Sequence, residues 1–255
     1  MACVEITPRE SPSSLRCHAP REIPGAPVLP RAGAMNISPA RPAIGKTVKI
    51  ICVSDTHGKH RQVQVPEGDL FIHSGDLSKH GTAAEISEVN SWLGTLSHRW
   101  KIIIAGNHDE AFEYEPEFAR KLITNAIYLE DSETTAAGLR VWGSPWQPAF
   151  NDWHFNLPRG AALKAKWDLI PPGIDVLVTH GPPFGVLDKI SSGESVGCEE
   201  LLVAVRRVRP RLHVFGHIHS EHGVLPPDNG IIFGNATICD ESYQTTKRPL
   251  VIKLR

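Results

Sequence analysis

The sequence lacks an apolar run of 18 residues, any C-x-x-C pair and a clear excess of either charge. Each absence removes a class of protein. Without such a run there is no membrane-spanning helix. The five cysteines, Cys3, Cys17, Cys52, Cys198 and Cys239, are odd in number and widely spaced. Neither a disulfide framework nor a structural zinc knuckle is expected, and the expected compartment is the reducing cytoplasm. Lys+Arg 27 against Asp+Glu 28 gives a net charge of -1, without the basic field of a dedicated nucleic-acid binder. Tyrosine is scarce at 3 residues and methionine at 2. What is plentiful is histidine, 13 in 255 residues, and apolar content of 41% is too high for a chain disordered throughout. A domain of this size buries roughly 70–75% of its unfolded surface.

Residues 1–46 hold eight prolines, Pro8, Pro12, Pro20, Pro24, Pro27, Pro30, Pro39 and Pro42, and no apolar periodicity. They read as a disordered Pro-rich tail, without the apolar core of a secretory signal. Residues 47–255 alternate strands and helices. Short β-branched runs predict strands at 48–53, 70–73, 102–105, 139–142, 176–179, 213–215, 231–233 and 251–254. Thr82 with Glu85 forms a capping box ahead of Ile86, Val89, Leu93 and Leu96 at helical spacing. Pro116 suits the first turn of a second helix. A third carries Cys198, Leu201, Leu202, Val205 and Val208 on one stripe and stops at Pro210. The expectation is one α/β domain, two packed sheets flanked by helices.

The informative residues follow the strands. Asp55-Thr56-His57, Gly75-Asp76, Gly106-Asn107-His108-Asp109, His180-Gly181 and Gly216-His217-Ile218-His219 each begin where a predicted strand ends. Sites of α/β sheets sit at the carboxyl ends of strands, so residues remote in sequence can converge there. A set of carboxylates, an amide and imidazoles, without thiolate, suits Mn, Fe or Zn. It is too large for one ion. Two ions about 3.5–4 Å apart would use it, acidifying a bridging water and neutralising a phosphoryl oxygen, which makes phosphoester hydrolysis the natural chemistry.

In this order, D-x-H, G-D, G-N-H-D, T-H-G and G-H-x-H resemble the calcineurin-like metallophosphoesterase superfamily. The stretches Ile127 to Ser132, Gly143 to Trp146, Phe155 to Gly160 and Arg206 to Gly216 are similar to the MPPED-type metallophosphodiesterase family. The resemblance covers nearly everything after Thr47. It implies a metallophosphoesterase fold, a two-sheet β-sandwich flanked by helices, and metal-dependent phosphodiesterase activity supported by Mn, with Fe, Zn and Mg as alternatives. It also implies that Asp55, His57 and His219 hold one divalent ion, that Asn107, His180 and His217 hold the second, and that Asp76 bridges them. His108 would protonate the leaving alkoxide. Some family members lack the first histidine of G-H-x-H; this chain has His217, so a complete site and a working enzyme are expected. Many superfamily members carry a second Asp after G-D to orient the catalytic histidine, whereas here Leu77, Ser78, Lys79 and His80 follow. Asp109 is the substitute considered.

His73 is either a donor to a ligand carboxylate or a buried structural residue. His154 and His222 are the remaining histidines expected to border the cleft. Trp142, Trp146, Trp153 and Phe155 cluster before Arg159. They either fill a core beneath a loop or stack on a nucleobase while Arg159 pairs with phosphate. The expected function is a dinuclear-metal phosphoesterase hydrolysing a small phosphodiester, with a cyclic nucleotide as one candidate, by attack of a metal-bridging hydroxide assisted by His108. The alternatives are a phosphomonoesterase acting on phosphoprotein or nucleotide and a low-turnover nucleotide-binding scaffold. The expected partner is the small diester or nucleotide alone, with neither membrane nor stable nucleic-acid binding.

Overall fold

A computed structural model describes residues 47–255. The expected tail over residues 1–46, with Cys3 and Cys17, lies outside the described residues.

Chain order runs β1 (Val48–Val53), β2 (Leu70–Ser74), α1 (Ala83–Thr95), β3 (Trp100–Ile104), α2 (Ala111–Tyr114), α3 (Pro116–Leu122), β4 (Ile127–Tyr128), β5 (Ser132–Ala136) and β6 (Leu139–Ser144). It continues through β7 (Gln147–Pro148), β8 (Asn156–Leu157), α4 (Ala161–Asp168), β9 (Val176–Thr179), α5 (Glu199–Val208), β10 (Leu212–Phe215), β11 (Gly223–Val224), β12 (Ile232–Asn235) and β13 (Leu250–Leu254). One sheet has the order β13-β1-β2-β3-β4, the other β11-β12-β10-β9-β6-β5, and β7 and β8 form a small separate pair. Strands β1 to β4 are parallel, as are β6, β9, β10 and β12, while β13, β5 and β11 run antiparallel at the edges.

Both faces of each sheet are covered, and this explains why the strands read as unbroken apolar runs instead of alternating. Ile50, Cys52, Ile72 and Ile104 of the first sheet meet Val141, Val178 and Val214 of the second in a core between the sheets. The opposite face of the first sheet, Ile51, Phe71 and Ile103, packs on Ile86, Val89, Trp92 and Leu93 of α1. The outer face of the second, Trp142, Leu177 and Phe215, packs on Leu163 and Trp167 of α4 and Leu201 and Val205 of α5. The layers are helix, sheet, sheet, helix, the sandwich expected. Truncating a fully buried Ile50 to Ala would cost about 2–5 kcal/mol.

The capping box forms, Glu85 N donating to Thr82 Oγ1 at 3.3 Å and Thr82 N to the Glu85 carboxylate at 3.0 Å. The third predicted helix starts one residue late, because Cys198 caps α5, its Sγ accepting from Leu201 N at 3.4 Å. Cys52 is a core residue, as expected, and burial pushes its thiol far up. Among the described residues the cysteines are free and buried, and no helix is long and apolar enough to cross a membrane.

The two sheets are joined at the carboxyl ends of their strands. Ser54, just past β1, donates its N–H to Ala236 O at 2.8 Å and accepts from Ile238 N at 2.9 Å. The loops after β1 and β2 are laced together as well, His57 N to Asp76 O at 3.0 Å and Gly58 N to Leu77 O at 3.1 Å. This seam fixes where the strand-end side chains meet.

Candidate metal centre

The loops leaving β1, β2 and β10 place their functional side chains through strained backbone. Asp55, His57, Asp76 and His217 all have left-handed φ, between 44° and 67°. Such conformations cost about 1–3 kcal/mol each in non-glycine residues and persist where surrounding structure enforces them. Two glycines in these motifs make room for the donors. A Cβ at Gly216 would overlap Ser54 and the Asp55 carboxylate, and one at Gly106 would overlap Asp76 and come within 2.6 Å of the His180 ring. They are small so that the donors can close together.

Among the described residues, three groups of donor atoms lie within 4.8 Å of one another: Asp55, His57 and His219; Asp55, Asp76 and His180; and His57, Asp76 and His108. Asp55 and Asp76 are thus shared between groups, as a two-ion centre needs. The His57 and His219 Nε2 atoms face each other at 3.2 Å. His219 Nδ1 donates to Asp240 O at 3.0 Å and His180 Nδ1 to Ser74 O at 3.0 Å, so in both rings Nε2 is the nitrogen directed inward. Asn107 Oδ1 lies 2.9 Å from His180 Nε2. His217 donates its backbone N–H to both Asp55 oxygens at 3.0 Å, and its ring stands edge-on to His180 with centroids 5.0 Å apart. Its ring nitrogens belong to none of the three donor groups.

Buried together, these carboxylates and imidazoles set one another's protonation. Asp55 and Asp76 are buried, which alone would raise their carboxyl pKa values. The neighbouring His219 and His180 overcome burial and hold both low. Burial would likewise lower His180, yet Asp76 and Asp55 push it up to about 9. His219 is raised in the same way, against burial, by Asp55. His57 and His217, by contrast, fall to about 4 and about 3 through burial, and so present neutral rings fit for ligation. Buried His57 Nδ1 and Asn107 Nδ2 have no hydrogen-bond partner among the described residues. Two carboxylates, inward imidazole nitrogens and an amide oxygen fit divalent ions of the Mn, Fe and Zn type.

His108 stands at the rim. Its Nδ1 donates to Lys79 O at 2.9 Å, and its ring packs against His57 and Trp153 at 4.6 and 4.5 Å between centroids. The expected role of Asp109 in orienting it is corrected by these contacts. Asp109 is fully buried and accepts from Leu77 N, Ser78 N, Gly106 N and Ser78 Oγ at 2.6–3.0 Å, tying the loop after β2 to the loop after β3. Burial and Asp76 push its carboxyl up to about 6. Arg159 is also committed elsewhere, donating to Gly197 O and Val196 O at 2.7 Å and pairing with Glu199. His73 bonds to Thr56 Oγ1 at 3.0 Å and to no ligand carboxylate, so it is structural. Of the aromatic cluster, Trp142 and Phe155 are buried in the core, whereas Trp153 faces the cleft. His154 borders the cleft with it, while His222 bonds to Thr237 O at 2.8 Å.

Sequence reasoning missed Tyr243, Lys59 and His80, which line the cleft. The Tyr243 ring lies 4.8 Å from His57 and 5.1 Å from His219. Its φ of 58° and the Lys59 ammonium on its carbonyl hold it there. No strand-end motif marks it; the signal available was its isolation as one of three tyrosines, in a polar loop.

A sandwich with buried, shared carboxylates and inward imidazoles at its strand ends defines a metal-dependent phosphoester hydrolase. The chain belongs to the calcineurin-like phosphoesterase family, whose description matches residues 48–221. It is 46% identical over 231 residues to human metallophosphoesterase domain-containing protein 1, covering 81% of this chain and 71% of that protein. It is 30% identical over 158 residues to a probable cyclic nucleotide phosphodiesterase of Synechococcus, covering 59% of this chain and 58% of that one. Its fold resembles that of TT1561 from Thermus thermophilus, with TM-score 0.55 and 14% identity over 82% of this chain and 100% of that one.

Proposed function

We propose that the chain is a dinuclear-metal phosphodiesterase acting on a small diester, with Mn the ion best supporting turnover. The observation that carries this is the place of His108. Its ring is within 4.8 Å of donors on His57 and Asp76 and also lines an open cavity of about 590 Å³. Two divalent ions held by Asp55, His57, Asp76, Asn107, His180, His217 and His219 would supply an acidified water and positive charge against the phosphoryl oxygens.

The protein's own residues do the rest. Because a carbonyl only accepts, the Lys79 contact fixes the His108 proton on Nδ1 and leaves Nε2 to carry the exchangeable one. Glu85 accepts from the Lys79 and His80 N–H groups at 3.3 and 3.2 Å, so the α1 capping box steadies the loop that aims the ring. Trp153 packs against the ring and limits its rotation. Proton donation from Nε2 to a leaving alkoxide is worth roughly 10²- to 10⁴-fold. The name of the Synechococcus relative supports a diester over a monoester. The near-neutral charge of the chain supports a small-molecule partner, and the free Cys52, Cys198 and Cys239 support a cytoplasmic setting.

The test compares mono- and bis-aryl phosphates on Mn-loaded protein. His108→Ala is expected to lose about 10²- to 10⁴-fold in kcat on the diester while retaining metal. Full activity in His108→Ala or Asp76→Ala would refute the mechanism, and a preference for the monoester would make the chain a phosphomonoesterase.

A further inference from the structure

The cleft has two arms that meet at the donor cluster and differ in the side chains that line them, and Asn107, Trp153 and Tyr243 line both. One arm, about 590 Å³, runs past His108 and is walled by Lys59, Lys79, His80 and His154, with Glu110 as its carboxylate. The other, about 360 Å³, has Asp76, His217 and His219 along it together with Phe150, Pro182 and Ile190. Phe150 and Ile190 are 51% and 37% exposed, large apolar side chains left open on a concave wall. Arg159 borders this arm too, but its guanidinium is taken by Gly197 O, Val196 O and Glu199.

We infer that the substrate is an unsymmetrical diester whose leaving alcohol carries a further anionic group, while its retained ester group is apolar or aromatic. The inference rests on the phosphodiesterase reading above and names its substrate class. His108 decides which arm is which: it lines the arm with the lysines and not the arm with Phe150 and Ile190, so the oxygen it protonates belongs to the group lying among the lysines. Water adds its oxygen to phosphorus and the P–O bond to the leaving group breaks. The His108 proton passes to the leaving oxygen, and a proton given up by the water restores it. The products are the phosphomonoester of the apolar group and an alcohol bearing the second anion. Lys59 is held by the Tyr243 carbonyl, so among the described residues Lys79, exposed on the rim, is the ammonium of this arm free to meet that anion.

The test uses two phenyl phosphodiesters on the Mn-loaded full chain, one whose other phenol bears a para-carboxylate and one bearing its methyl ester, with products identified by chromatography. The carboxylate compound should be favoured in kcat/KM, release the carboxyphenol and leave phenyl phosphate. Lys79→Gln, which keeps the backbone carbonyl that holds His108, should lower that preference about three- to five-fold, mainly through KM. Phe150→Ser should raise KM about five- to tenfold for a phenyl but not a methyl retained group. Equal rates on the two diesters, or a preference unmoved by Lys79→Gln, would overturn the assignment of the arms and leave the phosphodiesterase reading standing. Failure to cleave either diester while an aryl monophosphate is hydrolysed would instead overturn the reading beneath it.

Discussion

Replacing Gly106 by Ala adds one methyl group and removes no donor atom, yet it should disable the metal centre. The new Cβ would overlap the Asp76 carboxylate and stand 2.6 Å from His180 Cε1. Carbon atoms pack at about 3.5–4.0 Å, so the imidazole must retreat by about 1 Å. Neither neighbour can move freely. Asp76 accepts from His108 N at 2.9 Å, and the His180 ring is pinned through Nδ1 to Ser74 O at 3.0 Å. Gly106 does not adopt a left-handed φ, so the cost is overpacking, about 1–3 kcal/mol of stability. A displacement of about 1 Å at donor atoms is enough to cost roughly 10²-fold in turnover. The control is Gly181→Ala, where the added Cβ lies 3.6 Å from Gln147 Cβ, an ordinary contact. Urea melts, Mn titration calorimetry and kcat/KM on a bis-aryl phosphate should show Gly106→Ala folded, with metal affinity at least about tenfold weaker and activity about 10²-fold down. Gly181→Ala should stay within about 0.5 kcal/mol of the parent. Unchanged metal binding and activity in Gly106→Ala would refute the claim that Asp76 and His180 must hold these positions.

Asp109→Ala leaves three backbone N–H groups and the Ser78 hydroxyl without their acceptor. At about 1–3 kcal/mol per buried orphan, and with relief of repulsion from Asp76, the net loss should be about 3–5 kcal/mol in urea unfolding, with weaker metal binding. An unchanged midpoint would show that Asp109 does not join the two loops. His213 is buried, bonded to Thr179 Oγ1 at 2.9 Å, and lowered by burial from 6.5 to about 3. Above pH 6.5 the ring is neutral in both states and stability is full. Between 6.5 and 3 the unfolded chain takes a proton that the fold refuses, and stability falls by up to about 1.4 kcal/mol per pH unit. His213→Gln should flatten that part of the pH profile measured by urea melts, and an equally steep profile would place the acid sensitivity elsewhere.

The strands that carry the site were readable because each combines a β-branched run with a polar residue at its end, as at Val53 to Asp55 or Thr179 to His180. Burial on both faces made those runs continuous. The unread elements had no such contrast. Strand β5 is Ser-Glu-Thr-Thr-Ala at a sheet edge, and β7, β8 and β11 are two residues each. Helix α4 has Gly160 at its N-cap and so no side-chain cap, which concealed the Leu163 and Trp167 pair at helical spacing. Within the site, the donor residues could be read from their motifs. The partner of His108 could not, because it is the backbone carbonyl of Lys79 and leaves no side-chain signature. Tyr243 reaches the site through a left-handed turn late in the chain, a matter of tertiary path alone. His217 presents its backbone N–H to Asp55 as well as a ring beside His180, a double use that no spacing announces.

The central claim is that these side chains hold two divalent ions that the reaction needs. Metal analysis of Mn-loaded protein, paired with activity on a bis-aryl phosphate before and after chelation, tests it most directly. Two ions per chain are expected, with activity that disappears with them and returns on adding Mn, and with loss of both ions and activity in Asp76→Ala. Full hydrolytic activity in chelated, metal-free protein would contradict it.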